Sequence, residues 1–142
     1  MRLSVLARVV AVACLASVVS AQAPKTKAPE GATVYFISPK NGDTVGPKFT
    51  VQFGLKGMGV APATVQFDKT GHHHLLIDVA QLPDLNVPLA VTDNIRHFGG
   101  GQTEAEIALT PGQHTLQLVF ADFMHIAHDK PVMSEKITIT VK

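Results

Sequence analysis

From Thr33 onward the chain alternates apolar and polar residues with a period of two, the pattern of strands buried on one face. TVYFIS (Thr33 to Ser38) reads as a first strand, followed by SPKNGDTVGP, which is dense in turn formers. KFTVQFGL puts Phe49, Val51, Phe53 and Leu55 on one face and Thr50, Gln52 and Gly54 on the other. A glycine-containing loop then leads to HHHLLIDV, a third strand. The long stretch QLPDLNVPLAVTDNIRHFGGGQ is irregular, with room for a short edge strand. TEAEIAL alternates again, TPGQ suits a tight turn, and HTLQLVFADF and EKITITV are the closing strands. About seven short strands in roughly 110 residues, with turns between them and no helical period, predict an all-β antiparallel sandwich of immunoglobulin-like type.

The first 32 residues do not share this pattern. Arg2 and Arg8 supply a positive region before an apolar run, VVAVACLASVV (Val9 to Val19), and Ala21, Gln22 and Ala23 follow as a small-residue cleavage site. Residues 1–23 read as a secretory signal, residues 24–32 as a flexible leader and residues 33–142 as the domain. The apolar run is shorter than the ~18 residues of a membrane span, so no span is expected in the mature chain. The expected compartment is the periplasm or the exterior.

Removal of the signal changes the available chemistry. Cys14 is the one cysteine, so the mature chain has no disulfide and no thiolate nucleophile or ligand. Loss of Arg2 and Arg8 leaves 10 Lys and Arg against 11 Asp and Glu, a charge of about −1. With no basic stripe, no Trp and one Tyr, nucleic-acid binding has no footprint. No G-x-S-x-G elbow and no H-E-x-x-H motif is present, so no enzyme is expected. All seven histidines remain.

The histidine motifs, GHHHLLID, HFGGGQTE, PGQHTLQL and the tail HIAHDKPVMSEKI, resemble a family of small secreted bacterial domains of unknown function. The opening SPKNGDTV and the TPGQHTLQLVFAD segment resemble bacterial immunoglobulin-like modules in architecture. The resemblance implies an exported bacterial domain and carries no activity with it.

The residues must therefore supply the chemistry. In a seven-strand sandwich, the connections after the second, fourth and sixth strands gather at one end. His72, His73 and His74 begin the third strand, His97 precedes the fifth, and His125 and His128 follow the sixth, so six histidines map to that end. His114 maps to the other and reads as structural. Parity places His73 with Leu75, Ile77 and Val79 on the core face and His72 and His74 outward, about 7 Å apart. Neutral imidazoles in this arrangement suit Zn²⁺ or Cu²⁺, and Cu⁺ if a methionine joins. The candidate ligands are His72, His74, His97, His125, His128 and Met124. Met58 is, with Met124, a candidate soft ligand, and Asp122 and Asp129 are ligands or partners that orient an imidazole. Because ligating imidazoles must be neutral, binding is expected to weaken as pH falls through roughly 6.5. The expected function is a metal carrier, buffer or accessory module for copper or zinc, with another envelope protein as a further partner. The competing reading is a non-catalytic envelope interaction domain with structural histidines.

Overall fold

The computed structural model describes residues 24–142. The signal read at residues 1–23 lies outside the described residues. Ten strands follow in chain order: β1 Thr33–Ser38, β2 Thr44–Val45, β3 Lys48–Lys56, β4 Gly59–Val60, β5 Thr70–Ile77, β6 Ile95–His97, β7 Glu104–Ala108, β8 Gly112–Ala121, β9 Ala127–Met133 and β10 Ile137–Val141. Among the described residues there is no helix long and apolar enough to cross a membrane.

The smaller sheet has the order β1-β3-β7, with β3 antiparallel to both neighbours. The larger runs β2-β10-β8-β5-β4, with β6 also on β5 and β9 also on β8. The first, second and fifth expected strands thus share one sheet, and the third, sixth and seventh share the other. That division is the immunoglobulin-like arrangement. Two short ladders, β2–β10 and β4–β5, are parallel, so the sandwich is antiparallel apart from two edges of two residue pairs each.

Alternate residues of the two sheets meet between them. Phe36, Val51, Phe53 and Ile107 come from one side, and Leu75, Leu116, Leu118, Phe120 and Ile139 from the other. The outer face of the larger sheet is not left to water. Leu76, Val119, Ala121 and Ala127 on that face lie beneath Leu89 and Ile95, brought over by the irregular connection after β5. Leu89 N–H donates to the His125 carbonyl (2.9 Å) and fastens this cover to the β8–β9 turn. β5 is consequently buried on both faces.

Three strands were not foreseen: β2, β4 and β9. β9 reads AHDKPVM, where Asp129, Lys130 and Pro131 break any alternation. Its register explains the sequence. Ala127 opposes Ala121 and Val132 opposes Phe120, so residues 128–131 bulge out of the ladder. Val79 also departs from the expected parity. Asp78 adopts a left-handed φ of 55°, which ends the strand and turns Val79 toward the Leu76 layer. The leader is tied down. Asp129 N–H donates to the Thr26 carbonyl (2.9 Å), Ala28 N–H donates to Asp129 Oδ1 (3.0 Å), and Ala28 and Ala32 pack against the main core.

Gly71 permits the closest approach of the central pair. A Cβ there would meet the Ala121 carbonyl and the Phe120 ring. Gly71→Ala is expected to destabilise the domain by about 1–3 kcal/mol through overpacking, read as a lower urea midpoint with an unchanged slope.

Candidate metal centre

The site is built on β5. His72, His73 and His74 are all fully buried, in a strand whose neighbours on both faces exclude water. His73 opposes Phe120 and turns into the main core, its ring 4.9 Å from that of Phe53 and 5.0 Å from that of Phe120. His72 and His74 turn the other way, beneath the outer layer, with ring centres 4.8 Å apart. The expected parity is present, but the outward pair faces a second buried layer rather than solvent.

β6 adds a third imidazole. It runs antiparallel to β5 with His97 opposite His74. Its ring stands 5.1 Å from His74 and 4.9 Å from His72. Gly99 makes room for it, because a Cβ at that position would collide with the His97 ring.

The β8–β9 turn adds a fourth. Asp122 Oδ1 accepts from the N–H of Met124 (2.9 Å) and of Ile126 (3.1 Å), and His125 N–H donates to the Asp122 carbonyl (2.9 Å). This aspartate-led turn places His125 in a left-handed conformation, φ 66°, more accessible to His and Asn than to branched residues. The His125 ring lies 5.0 Å from His72, 5.9 Å from His74 and 4.6 Å from His97. Each of the four imidazoles therefore touches the other three.

Ligand nitrogens of His72, His74 and His97 lie within 4.8 Å of one another, close enough to hold a metal ion. Both ring nitrogens of His72 and His74, and Nε2 of His97, are buried without a hydrogen-bond partner among the described residues. Burial pushes His72 down to about 4, assisted by repulsion from His125 and His97 and opposed by Asp122. It pushes His74 to about 3, with His72, His97 and His125 adding to the effect. His97 is lowered by burial and by His125. Well below pH 6.5 the buried pair is already neutral, the form that binds a metal. Any metal binding by this pair would therefore weaken at more acid pH than the 6.5 expected of free imidazoles, because desolvation disfavours the competing proton.

The remaining candidates lie elsewhere. His128 begins the β9 bulge and is carried to the other side of the sheet. There its ring stacks on Phe120 (6.1 Å, 7°), and it is not one of the four touching imidazoles. Met124 is exposed beside His125. Met58 packs against the main core. Asp122 has its oxygens occupied by the turn and by the Thr26 hydroxyl (2.9 Å), so it positions the loop rather than an imidazole. Asp129 holds the leader. His114 sits apart, its Nδ1 2.7 Å from Asp78 Oδ2 and its Nε2 2.8 Å from the Thr110 carbonyl, which raises its pKa. Sequence reasoning missed the roles of Asp122 and Gly99. An Asp leading a tight turn was a readable signal for the first; nothing local announced the second.

Residues 51–142, which include all seven histidines, match the model of a family described as a domain of unknown function (DUF4399). No curated protein matches the chain. Among solved structures it is similar to the endo-β-1,4-mannanase from Thermotoga petrophila, with 19% identity and a TM-score of 0.43. That match covers 78% of this chain and 20% of the mannanase, so the chain spans about a fifth of the enzyme's length. It is also similar to the fibronectin(III)-like modules of Clostridium thermocellum CbhA, with 13% identity, a TM-score of 0.39, and coverage of 78% and 96%.

Two pH responses of opposite sign follow. The folded pKa values of His72, His73 and His74 lie below the unfolded 6.5, His73 at about 4 through burial alone. Their contribution is complete above pH 6.5 and lost as pH falls toward 4, at about 1.4 kcal/mol per pH unit for each fully buried imidazole. His114 is raised, so its contribution is complete below 6.5 and lost as pH rises through its folded value. Urea unfolding of metal-free protein should therefore show stability falling steeply from pH 6.5 to 4. His114→Gln should lower stability fully at and below pH 6.5, with the difference from the parent shrinking as pH rises through the folded His114 value.

Proposed function

The chain belongs to that DUF4399 family, and since a domain of unknown function supplies no activity, we propose from the geometry that it binds one transition-metal ion through His72, His74, His97 and His125. The carrying observation is the set of six ring separations, from 4.6 to 5.9 Å. With zinc–nitrogen bonds of about 2.0–2.1 Å and the ring centre about 1.1 Å beyond the nitrogen, four tetrahedral imidazoles have centres about 5.2 Å apart. The six ring separations bracket that value; the nitrogens of His72, His74 and His97 already lie within 4.8 Å of one another, and His125 stands outside that group as the fourth ring.

The donor set favours zinc over copper within this reading. Four borderline nitrogens in a tetrahedral frame suit Zn²⁺, whereas Cu²⁺ prefers tetragonal sites and Cu⁺ prefers thiolate or thioether. Four imidazoles complete the coordination shell and leave no position for a substrate or water, which supports a carrier, buffer or structural module over a metalloenzyme. The apolar run after Arg2 and Arg8 and the Ala21–Ala23 site support export, and with it a place of binding in the periplasm or the exterior. Delivery to or from another envelope protein fits the same reading.

A second reading rests on His73. Both its nitrogens are buried and unpartnered, yet it packs among Phe53 and Phe120 as an ordinary core ring. This fold therefore accommodates an unpartnered imidazole without a metal, and the four-ring cluster would then be aromatic packing in a non-catalytic interaction domain.

Thermal melting separates the two. A ligand that binds only the folded state at a hundredfold excess over Kd adds about 2.7 kcal/mol, a rise of the order of 10 °C in Tm for a domain this size. Zn²⁺ should give that rise at pH 7.5 with one equivalent bound. His97→Ala and His125→Ala should each remove most of it, while His114→Ala leaves it intact. The absence of a shift with either Zn²⁺ or Cu²⁺ would leave the packing reading standing.

A further inference from the structure

The four imidazoles are not held alike. His72 and His74 are 0% exposed, on a strand covered on both faces, so turning either ring outward would break into close-packed layers. His97 and His125 are half-buried, and the cluster meets the surface on their side. His97 still belongs to the preassembled group, because its ligand nitrogen lies within 4.8 Å of those of His72 and His74. Its Nε2 is buried, and its ring fills the space that a Cβ on Gly99 would need. His125 stands outside that group and is the one member carried by a turn rather than a strand.

The backbone around His125 has little freedom. Its N–H donates to the Asp122 carbonyl (2.9 Å), and its carbonyl accepts from Leu89 N–H (2.9 Å). The loop after β4 is tied to both half-buried sides, with Ala63 N–H on the Gly99 carbonyl (2.8 Å) and Thr64 N–H on the Phe123 carbonyl (3.1 Å). An ion therefore reaches or leaves the cluster by movement of a side chain rather than of a loop. A ring that touches solvent changes rotamer far faster than a packed segment opens, and among the four that describes His125 best.

The consequence for bound metal is chemical. An ion held by several donors is released one bond at a time. If the His125 bond breaks first, three nitrogens remain, the number of protein ligands that zinc sites with an open fourth position keep. A replacement donor at that position must offer the same ion the same borderline nitrogen.

We propose that His125 is the exchangeable ligand of the site: its ring swings aside, the ion stays on His72, His74 and His97, and the vacated position takes one incoming imidazole. The proposal rests on the four-imidazole site and names how that site passes its ion on, to a partner that presents a histidine. Each step breaks one metal–nitrogen bond and forms one, so neither charge nor oxidation state changes.

Position 125 suits a direct test. Its φ of 66° is a conformation that glycine adopts freely, so His125→Gly removes the ring without straining the turn. The probe is Co²⁺, which accepts the same donors as Zn²⁺ and reports its coordination by visible absorption. The parent protein should bind one Co²⁺ with the strong absorption of a tetrahedral site. His125→Gly should bind it about a hundredfold more weakly, with the weaker absorption of a solvent-completed site, and free imidazole should restore the tetrahedral spectrum and about tenfold of the affinity. Release to a chelator should be about a hundredfold faster in this variant, with association nearly unchanged. In the parent, free imidazole should accelerate release saturably. Parent-like affinity and spectrum in His125→Gly, no recovery with imidazole, or release from the parent that is indifferent to imidazole would overturn the proposal. A parent that takes up neither Co²⁺ nor Zn²⁺ would instead overturn the four-imidazole site, and the proposal with it.

Discussion

An imidazole taken out of water without a hydrogen-bond partner costs about 1–3 kcal/mol for each orphaned polar atom. This fold does so at seven ring nitrogens of His72, His73, His74 and His97. Much of the architecture follows from where that cost is accepted. It falls on β5, which is flanked by β8 on one side and by β6 and β4 on the other, and covered on both faces. The apolar contacts of Leu75, Leu76 and Ile77 along the same strand offset it, as does the packing of Phe120 and Val119 opposite. In the proposed site, a metal ion at the outer face would satisfy one nitrogen on each ring that held it.

Fold and site are consequently hard to separate. A ligand set on loops could be altered while the sandwich stayed intact. Here two of the four imidazoles are side chains of a central strand, one comes from the strand hydrogen-bonded to it, and only His125 belongs to a turn. Even that turn is fixed, by Asp122 from within and by Leu89 from the covering connection. Desolvation does two things together. It makes the metal-free fold sensitive to acid, because protonating a buried ring is costly. It also keeps the rings of His72 and His74 neutral, the form that the proposed metal site would require.

The turn is also a hinge between two environments. Asp122 organises the backbone that carries His125 toward the cluster, while Asp122 and Thr26 also line a cavity of about 510 Å³ shared with His128. His125 and His128 are three residues apart and serve different sides of the sheet, because residues 128–131 bulge out of the β8–β9 ladder. A sequence motif such as MHIAHD gives no warning of this, since a bulge reverses the facing of everything beyond it.

The strands with clean alternation were legible in the sequence because period-two burial is a local property: TVYFIS, KFTVQFGL and ITITV fold as they read. So were the pairing of the third strand with the sixth and the isolation of His114, which follow from strand order alone. β9 was not legible, because Asp129, Lys130 and Pro131 mask the alternation that its bulge no longer requires. The split of His72 and His74 from His73 was also local, a matter of parity. What those outward rings would meet was not. Whether water or a second apolar layer covers the outer face of β5 depends on where residues 78–94 come to rest, and that segment has no period to read. The chain thus determined which histidines share a face and an end. Only the tertiary structure decided that the rings of His97 and His125 come against those of His72 and His74 while His128 leaves that face, because covering layers, bulges and left-handed turns arise from contacts between segments far apart in sequence.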